Sequence, residues 1–232
     1  VNMRTLLYSF FCLFSLNLFA DSTEPVHASG SRTIQCTNPE TGKLTPAEYL
    51  LSRALKFQAE TLRETDKRKE QHVLAIKYFD EYINCLQTQK YLVSGLTYYQ
   101  KAVSQFEIQD KNAQSTLELA LKNDSRLRDA IILRARLFIR DKMYREAQNL
   151  LEDAISYFSD DSDILYLLGS LSAELGNDSK ALLYFGSLWN NIQKKEGDPR
   201  YTSNVLKVIA ELLSKKLEQD RSIRFRALYY LK

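Results

Sequence analysis

The sequence has little glycine and proline, and this scarcity excludes most loop-rich and sheet-rich folds. Its 232 residues include seven glycines and four prolines, and no proline lies between residues 49 and 198. No stretch alternates apolar and polar residues between turn signals, which is the pattern of a half-buried strand. The long stretch without proline therefore predicts an all-helical fold.

The sequence also lacks the patterns that indicate catalysis or metal binding. Its two histidines, His27 and His72, stand at no informative spacing from a serine or cysteine nucleophile. There is no glycine-rich phosphate loop, no paired-cysteine zinc motif and no pair of histidines four residues apart. We therefore predict a protein that is not an enzyme and that uses neither a metal nor a cofactor.

Residues 1–20 differ in kind from the rest of the chain. Arg4 is the one charge before Asp21, and Thr5–Phe19 is almost wholly apolar. A charged start, an apolar centre and a small residue before a polar stretch are typical of a secretory signal peptide. The alternative is a retained membrane anchor, but the apolar stretch is shorter than the roughly 20 residues that span a bilayer. We expect export to the periplasm or cell envelope, with cleavage after Ala20.

Export would change the chemistry of the cysteines. Cys36 and Cys85 are the two that remain after residues 1–20 are removed. In an oxidising compartment such a pair can form a disulfide. In sequence terms, Cys85 could equally be a small buried apolar residue with a free thiol. Both alternatives stay open at this point.

Residues 128–195 contain one 34-residue pattern twice. Arg128–Ser159 aligns with Ser162–Gln193 without a gap. Small residues recur at the eighth and twentieth positions, and a large apolar residue follows at the twenty-fourth. The aligned pairs are Ala135 with Gly169, Ala147 with Ala181, Leu151 with Phe185, and Ala154 with Leu188. Small residues at this spacing allow two antiparallel helices to approach closely.

This pattern resembles the tetratricopeptide repeat. The resemblance implies an all-α fold, a right-handed superhelical array of antiparallel helix pairs. We predict four such pairs, at residues 46–90, 91–127, 128–161 and 162–195. Residues 21–45 precede them as a flexible segment, and Thr45 with Pro46 would start the first helix. Residues 196–232 follow as a capping helix, Tyr201–Leu217, and a basic C-terminal helix.

The resemblance also implies a binding surface. Tetratricopeptide arrays bind ligands on the concave face formed by the first helix of each pair. The matching candidates, with Arg140 just beyond the usual set, are Leu96, Tyr99, Val103, Phe106, Ile132, Arg136, Arg140, Tyr166 and Ser170. Some tetratricopeptide arrays bind a carboxylate through a lysine and an asparagine at these positions, and this sequence has neither residue there. An apolar stripe with arginine beside it suits a peptide that has an apolar anchor and an acidic group. The alternative is that residues 21–45, or the one-residue shift of register in the second pair, bury these residues within the chain.

The end of the chain is basic. From Lys194 to Lys232 there are ten Lys and Arg residues and five Asp and Glu residues. Arg221, Arg224 and Arg226 alternate with apolar residues in a predicted last helix, residues 221–232, and could contact an anionic membrane surface. The alternative is a solvated helix whose apolar side packs on the array.

Three hypotheses of function follow. The first is a non-catalytic scaffold of the cell envelope that binds a protein or peptide on its concave face. The second is a subunit or assembly factor of a membrane-associated complex that uses the outer face and the basic tail. The third is an accessory domain of an enzyme. Nucleic acid is a poor partner for an exported protein.

Overall fold

The computed structural model describes residues 33–61 and 67–230, with side chains as far as Arg221. In this part of the chain nine α-helices follow a short β-hairpin. The strands are β1 (Gln35–Thr37) and β2 (Leu44–Pro46). The helices are α1 (Ala47–Glu60), α2 (Arg68–Thr88), α3 (Gly95–Glu107), α4 (Ala113–Asn123), α5 (Arg128–Arg140), α6 (Tyr144–Ile155), α7 (Ser162–Glu174), α8 (Asp178–Gln193) and α9 (Thr202–Tyr230). The predicted signal peptide, residues 1–20, lies outside the described residues.

The chain divides into two compact units, one ending at Ser125 and the other beginning at Arg126. The first contains the hairpin and α1 to α4, and the second contains α5 to α9. Within the units α1 packs on α2, α3 on α4, α5 on α6, and α7 on α8. A chain that reverses within a few residues makes its two helices antiparallel. The predicted all-α fold of helix pairs, similar to tetratricopeptide repeats, is confirmed.

Small residues lie where the paired helices of the second unit meet. Ala135, Ala147 and Ala181 are fully buried. Gly169 of α7 faces the ring of Phe185 on α8, and a Cβ atom at residue 169 would stand 2.9 Å from the ring carbon Cε1. That distance is shorter than the separation at which carbon atoms normally pack. The closeness of α7 and α8 therefore depends on the absence of a side chain at Gly169.

The hairpin corrects the prediction of a flexible segment for residues 33–45, while residues 21–32 of that segment lie outside the described residues. β1 and β2 pair antiparallel, with Cys36 opposite Thr45, and Gly42 turns between them at φ +68°. The Asn38 carboxamide oxygen accepts hydrogen bonds from the backbone amides of Glu40 and Thr41. Thr45 is paired with Cys36 in the hairpin, and Pro46 stands at the N-cap position of α1, so Thr45 does not cap this helix. The sequence gives no strand signal here because each strand has three residues, which is too short for an alternating pattern.

A disulfide attaches the hairpin to α2. The Sγ atoms of Cys36 and Cys85 lie 2.01 Å apart, and their Cα atoms 5.6 Å apart. The Gln89 side-chain amide also donates to the backbone carbonyl of Gln35 at 3.0 Å. Both links join β1 to the C-terminal end of α2.

Helix ends in the second unit repeat as the sequence does. Lys142 after α5 has φ +61°, and Gly176 after α7 has φ +75°. The next amide in each case, Met143 or Asn177, donates at 2.8 Å to a carbonyl of the last helical turn. This is the Schellman closure of a helix, in which the left-handed residue is most often glycine.

The end of the chain corrects a second prediction. The sequence divided it into helices at 201–217 and 221–232, whereas the structure has a 3₁₀ turn at Pro199–Tyr201 and one continuous helix, α9. No glycine or proline interrupts residues 202–230, so nothing stops the helix at its charged middle. Val205 and Leu212 of α9 are buried in a cluster with α8. Among the described helices, none is long and apolar enough to cross a membrane.

Candidate functional site

In the first unit the predicted binding residues lie along α3. Leu96 is 44% exposed, and Tyr99, Val103 and Phe106 are half-buried. Leu92, just before this helix, is 94% exposed. These side chains give α3 an apolar surface that is partly open to solvent.

In the second unit one predicted residue is not at the surface. Ile132 is 5% exposed, and so cannot serve as a contact for a ligand. Its neighbours Ile131 and Leu133 are buried as well, because α5 is covered on more than one side. The repeat position alone does not reveal this second covered side.

Asp163 at the start of α7 is the centre of a polar network that the sequence did not reveal as a cluster. The Arg128 guanidinium donates to both Asp161 and Asp163, with 2.5 Å between Arg128 Nη2 and Asp163 Oδ2. The Tyr201 hydroxyl donates to the other Asp163 oxygen. Burial acts to raise the pKa of Asp163, but the hydrogen bonds from Tyr201 and Arg128 outweigh it and hold this pKa below its usual range. Asp163 is therefore an anion at the edge of the interior, and each of its two carboxylate oxygens already accepts a hydrogen bond.

Tyr166 takes part in the same assembly. Its ring stacks on the Tyr201 ring with centroids 4.6 Å apart and meets the edge of Phe185 at 5.9 Å. The predicted binding residue is therefore half-buried, and the residue that stacks on it belongs to the turn before α9 and not to residues 21–45. Tyr201 follows Tyr166 by 35 residues, one repeat and one residue. That near-repeat of an aromatic residue is the signal in the sequence that could have revealed the contact.

Arg136 and Arg140 are one helical turn apart on α5, so their side chains lie on one face. The Arg136 side chain is 31% exposed, and its Nη2 atom lies 4.0 Å from Asp163 Oδ1. The Arg140 side chain is 29% exposed, and its Nε atom donates to Asp141 at 3.0 Å. Ser170 of α7 is half-buried. We define Arg136 and Arg140 as the arginine pair.

A second polar region lies on α6 and the start of α8. Glu152 accepts hydrogen bonds from Lys180 at 2.9 Å and from Gln148 at 2.8 Å. The Lys180 and Gln148 hydrogen bonds lower the pKa of Glu152 against its partial burial. A shallow depression, which Arg145 also lines, opens beside these residues. Lys180 is paired with Glu152, and Arg145 is the other charged residue of the lining.

His72 belongs to a buried polar cluster in the first unit. It is 5% exposed, and its Nδ1 atom lies 3.2 Å from Ser104 Oγ, which accepts a hydrogen bond from Gln58 Nε2 at 2.7 Å. Burial, with a smaller contribution from the charge of Arg68, lowers the pKa of His72 to about 4. This neutral, enclosed imidazole joins α1, α2 and α3. Among the described residues no group of His, Cys, Asp and Glu is arranged to hold a metal.

Two solved structures resemble this chain in three dimensions. One, titled "MamA 41-end from Desulfovibrio magneticus RS-1", has 18% sequence identity and a TM-score of 0.47, and the match covers 73% of this chain and 96% of that one. The other, "MamA RS-1 ArsTM double mutant", has 17% identity and a TM-score of 0.47, with 71% and 96% covered. No family model matches the sequence, and no curated protein does. The likeness is a general one, so the assignment of helix pairs rests on the packing of this chain.

Proposed function

We propose that this protein is a non-catalytic scaffold of the cell envelope that binds an acidic protein segment on α5 and α7. The observation that carries the proposal is the arginine pair, two partly exposed guanidinium groups one turn apart on one face of α5. Guanidinium groups in this setting can donate two parallel hydrogen bonds to a carboxylate. The partly open apolar surface of α3 is a separate place for apolar side chains of a partner.

The network around Asp163 supports the choice of this surface, because it holds the side chains beside Arg136 in place. Arg128 and Tyr201 occupy the Asp163 carboxylate, and Tyr166 is packed between two rings. A ligand would therefore contact side chains that are already held in place at the start of α7. Rigid surroundings reduce the entropy that is lost when side chains are immobilised on binding.

Export is the second part of the proposal. Residues 1–20 have the pattern of a signal peptide, and Cys36 and Cys85 are placed for a disulfide. Disulfides persist in oxidising compartments and are rare in the cytosol. Both observations favour the periplasm or another part of the cell envelope as the location of the protein.

The experiment is quantitative capture of partners from an envelope extract by the full chain and two double variants. Arg136→Ala/Arg140→Ala should reduce capture at least about tenfold, since truncating one partner of a charge pair that is buried and hydrogen-bonded in a complex costs about 2 kcal/mol or more. The difference from the parent should shrink as salt is raised. The matched control is Arg145→Ala/Lys180→Ala, which removes the same charge from α6 and α8.

Unchanged capture by a normally folded arginine-pair variant would contradict the proposal. Loss of capture in the control alone would move the binding surface to α6 and α8. Tyr166→Ala is unsuitable as a surface test because its ring is packed on Tyr201.

A further inference from the structure

The last helix carries apolar side chains that its own unit leaves uncovered. Val205 and Leu212 of α9 are buried against α8, but every residue from Leu213 to Arg221 is exposed. Leu206, Leu213 and Leu217 are 43%, 51% and 56% exposed. The predicted capping helix, Tyr201–Leu217, therefore leaves these three leucines uncovered. Both hypotheses for residues 221–232 concern side chains that, after Arg221, lie outside the described part of the chain.

The three exposed leucines share one face of α9. Residues 206, 213 and 217 are separated by seven and four positions, so at about 100° per residue they fall within a stripe roughly 40° wide. Val205 and Leu212 point about 100° away from that stripe on the same scale. We call Leu206, Leu213 and Leu217 the leucine stripe.

Basic residues border the leucine stripe. Lys207 and Arg221 lie on one flank and Lys216 on the other, and all three are exposed. Asp220 lies beside Lys216 and Glu218 on the flank of Lys207, but the end of the chain as a whole is basic, since residues 202–232 contain seven Lys and Arg and three Asp and Glu. An apolar stripe between cations is the arrangement with which an amphipathic helix rests in the interface of an anionic bilayer.

We propose that α9 binds an anionic lipid surface, with the leucine stripe at the level of the acyl chains and Lys207, Lys216 and Arg221 at the head groups. The excess of positive charge complements anionic head groups, to which each basic side chain adds attraction. A second copy of α9 fits less well, because pairing would bring two positively charged surfaces together. This surface is separate from the arginine pair on α5.

The test is co-sedimentation of the full chain with vesicles of phosphatidylcholine, with and without phosphatidylglycerol. The protein should bind the vesicles that contain phosphatidylglycerol, and less so at high salt. Leu213→Ser/Leu217→Ser should lower the partition coefficient about tenfold or more, because the apolar area that enters the bilayer is lost. Lys216→Gln and Arg221→Gln should each lower it about fivefold.

The matched control is Leu183→Ser on α8, which removes a leucine that is 64% exposed but lies off the stripe. This variant should bind vesicles as the parent does, and circular dichroism should show the same helix content in all variants. Failure of the parent to bind anionic vesicles would overturn the proposal, as would normal binding by Leu213→Ser/Leu217→Ser. Self-association without lipid that the same variant abolishes, with no vesicle binding, would make the stripe an interface between copies and overturn it as well.

Discussion

The two units of the molecule use the same helix pairs but hold them together by different chemistry. In the first, a disulfide fastens the hairpin to α2, and the polar cluster of His72, Ser104 and Gln58 lies inside three helices. In the second, the charged network around Asp163 lies at the edge. Small, fully buried residues bring the paired helices together in both units. Both arrangements are compatible with the helix pairs, because the small residues of the repeat determine the spacing of the helices. They do not determine which polar side chains stabilise the surrounding structure.

The difference predicts different sensitivities. The first unit should respond to reduction and to acid, because a thiol pair and a buried imidazole are part of its interior. The second should respond to neither in the same way, because the described part of it contains no disulfide and no histidine. Both units should respond to side-chain volume, since Ala54, Ala75 and Ala102 are as fully buried as the alanines of the second unit. Native-state hydrogen exchange measures each unit by itself through the amides of α1 to α4 and of α5 to α8.

The largest expected effect is loss of the disulfide. Cys36→Ser/Cys85→Ser opens a loop whose ends are 49 residues apart. The entropy gained by the unfolded chain should lower the free energy of unfolding of the first unit by about 4 kcal/mol. Hydrogen exchange should show this loss in α1 to α4, with little change in α5 to α8.

Thiol labelling decides whether the bond exists in the isolated protein. Native protein that has been exported should show neither Cys36 nor Cys85 reactive after denaturation without a reductant. Two reactive thiols per chain would exclude the bond and remove this contrast between the units.

The next effect is acid sensitivity of the first unit. The pKa of His72 is about 4 when folded and 6.5 when unfolded. Between these values the unfolded chain binds more protons, so stability is complete above pH 6.5 and falls as the pH drops towards 4, by about 3 kcal/mol in all. Glu107, whose pKa burial raises, acts in the opposite direction.

His72→Asn isolates the imidazole, because asparagine stays neutral and keeps a polar atom near the position of Nδ1. Unfolding of this variant, followed at pH 7 and pH 5 by hydrogen exchange in α1 to α4, should depend less on pH than that of the parent. An equal dependence in both proteins would show that His72 is not the responsible group.

Overpacking should affect the second unit by an intermediate amount. Ala147→Leu and Ala181→Leu place four-carbon side chains at fully buried positions, which should cost about 1–3 kcal/mol each. Ser179→Leu, at an exposed position of α8, is the control and should melt like the parent. If both alanine variants also melt like the parent, the 34-residue register is wrong.

The smallest effect sharpens a comparison within the second unit. Lys142 and Gly176 hold the same left-handed position after α5 and α7. Lys142→Gly should raise the melting temperature, and Gly176→Lys should lower it, each by the equivalent of about 1 kcal/mol. Opposite signs in chemical denaturation would show that the side chain of Lys142 stabilises the turn.

The sequence predicts the parts of the fold that depend on repeated spacing. Gly169 and Phe185 meet as their positions in the pattern require, and Ala147 and Ala181 are buried. The hairpin could not be predicted, since strands of three residues leave no periodic signal. The division of the last helix was wrong because charge alone does not end a helix.

The candidate site was less predictable than the fold. The arginine pair follows from the repeat positions, but the burial of Ile132 depends on which neighbours cover α5. The stacking of Tyr166 on Tyr201 depends on where the 3₁₀ turn before α9 places Tyr201. Contacts of this kind are set by tertiary packing, which spacing along one repeat does not encode.

The bond between Cys36 and Cys85 closes a covalent ring that contains β2, α1 and most of α2. A protease that cuts once inside this ring opens the backbone without releasing a fragment. Such a nicked chain would migrate as a single species in electrophoresis until a reductant separates it into two pieces. In an extracytoplasmic setting rich in proteases, the ring would allow the first unit to survive a cut that would divide an uncrosslinked helix pair.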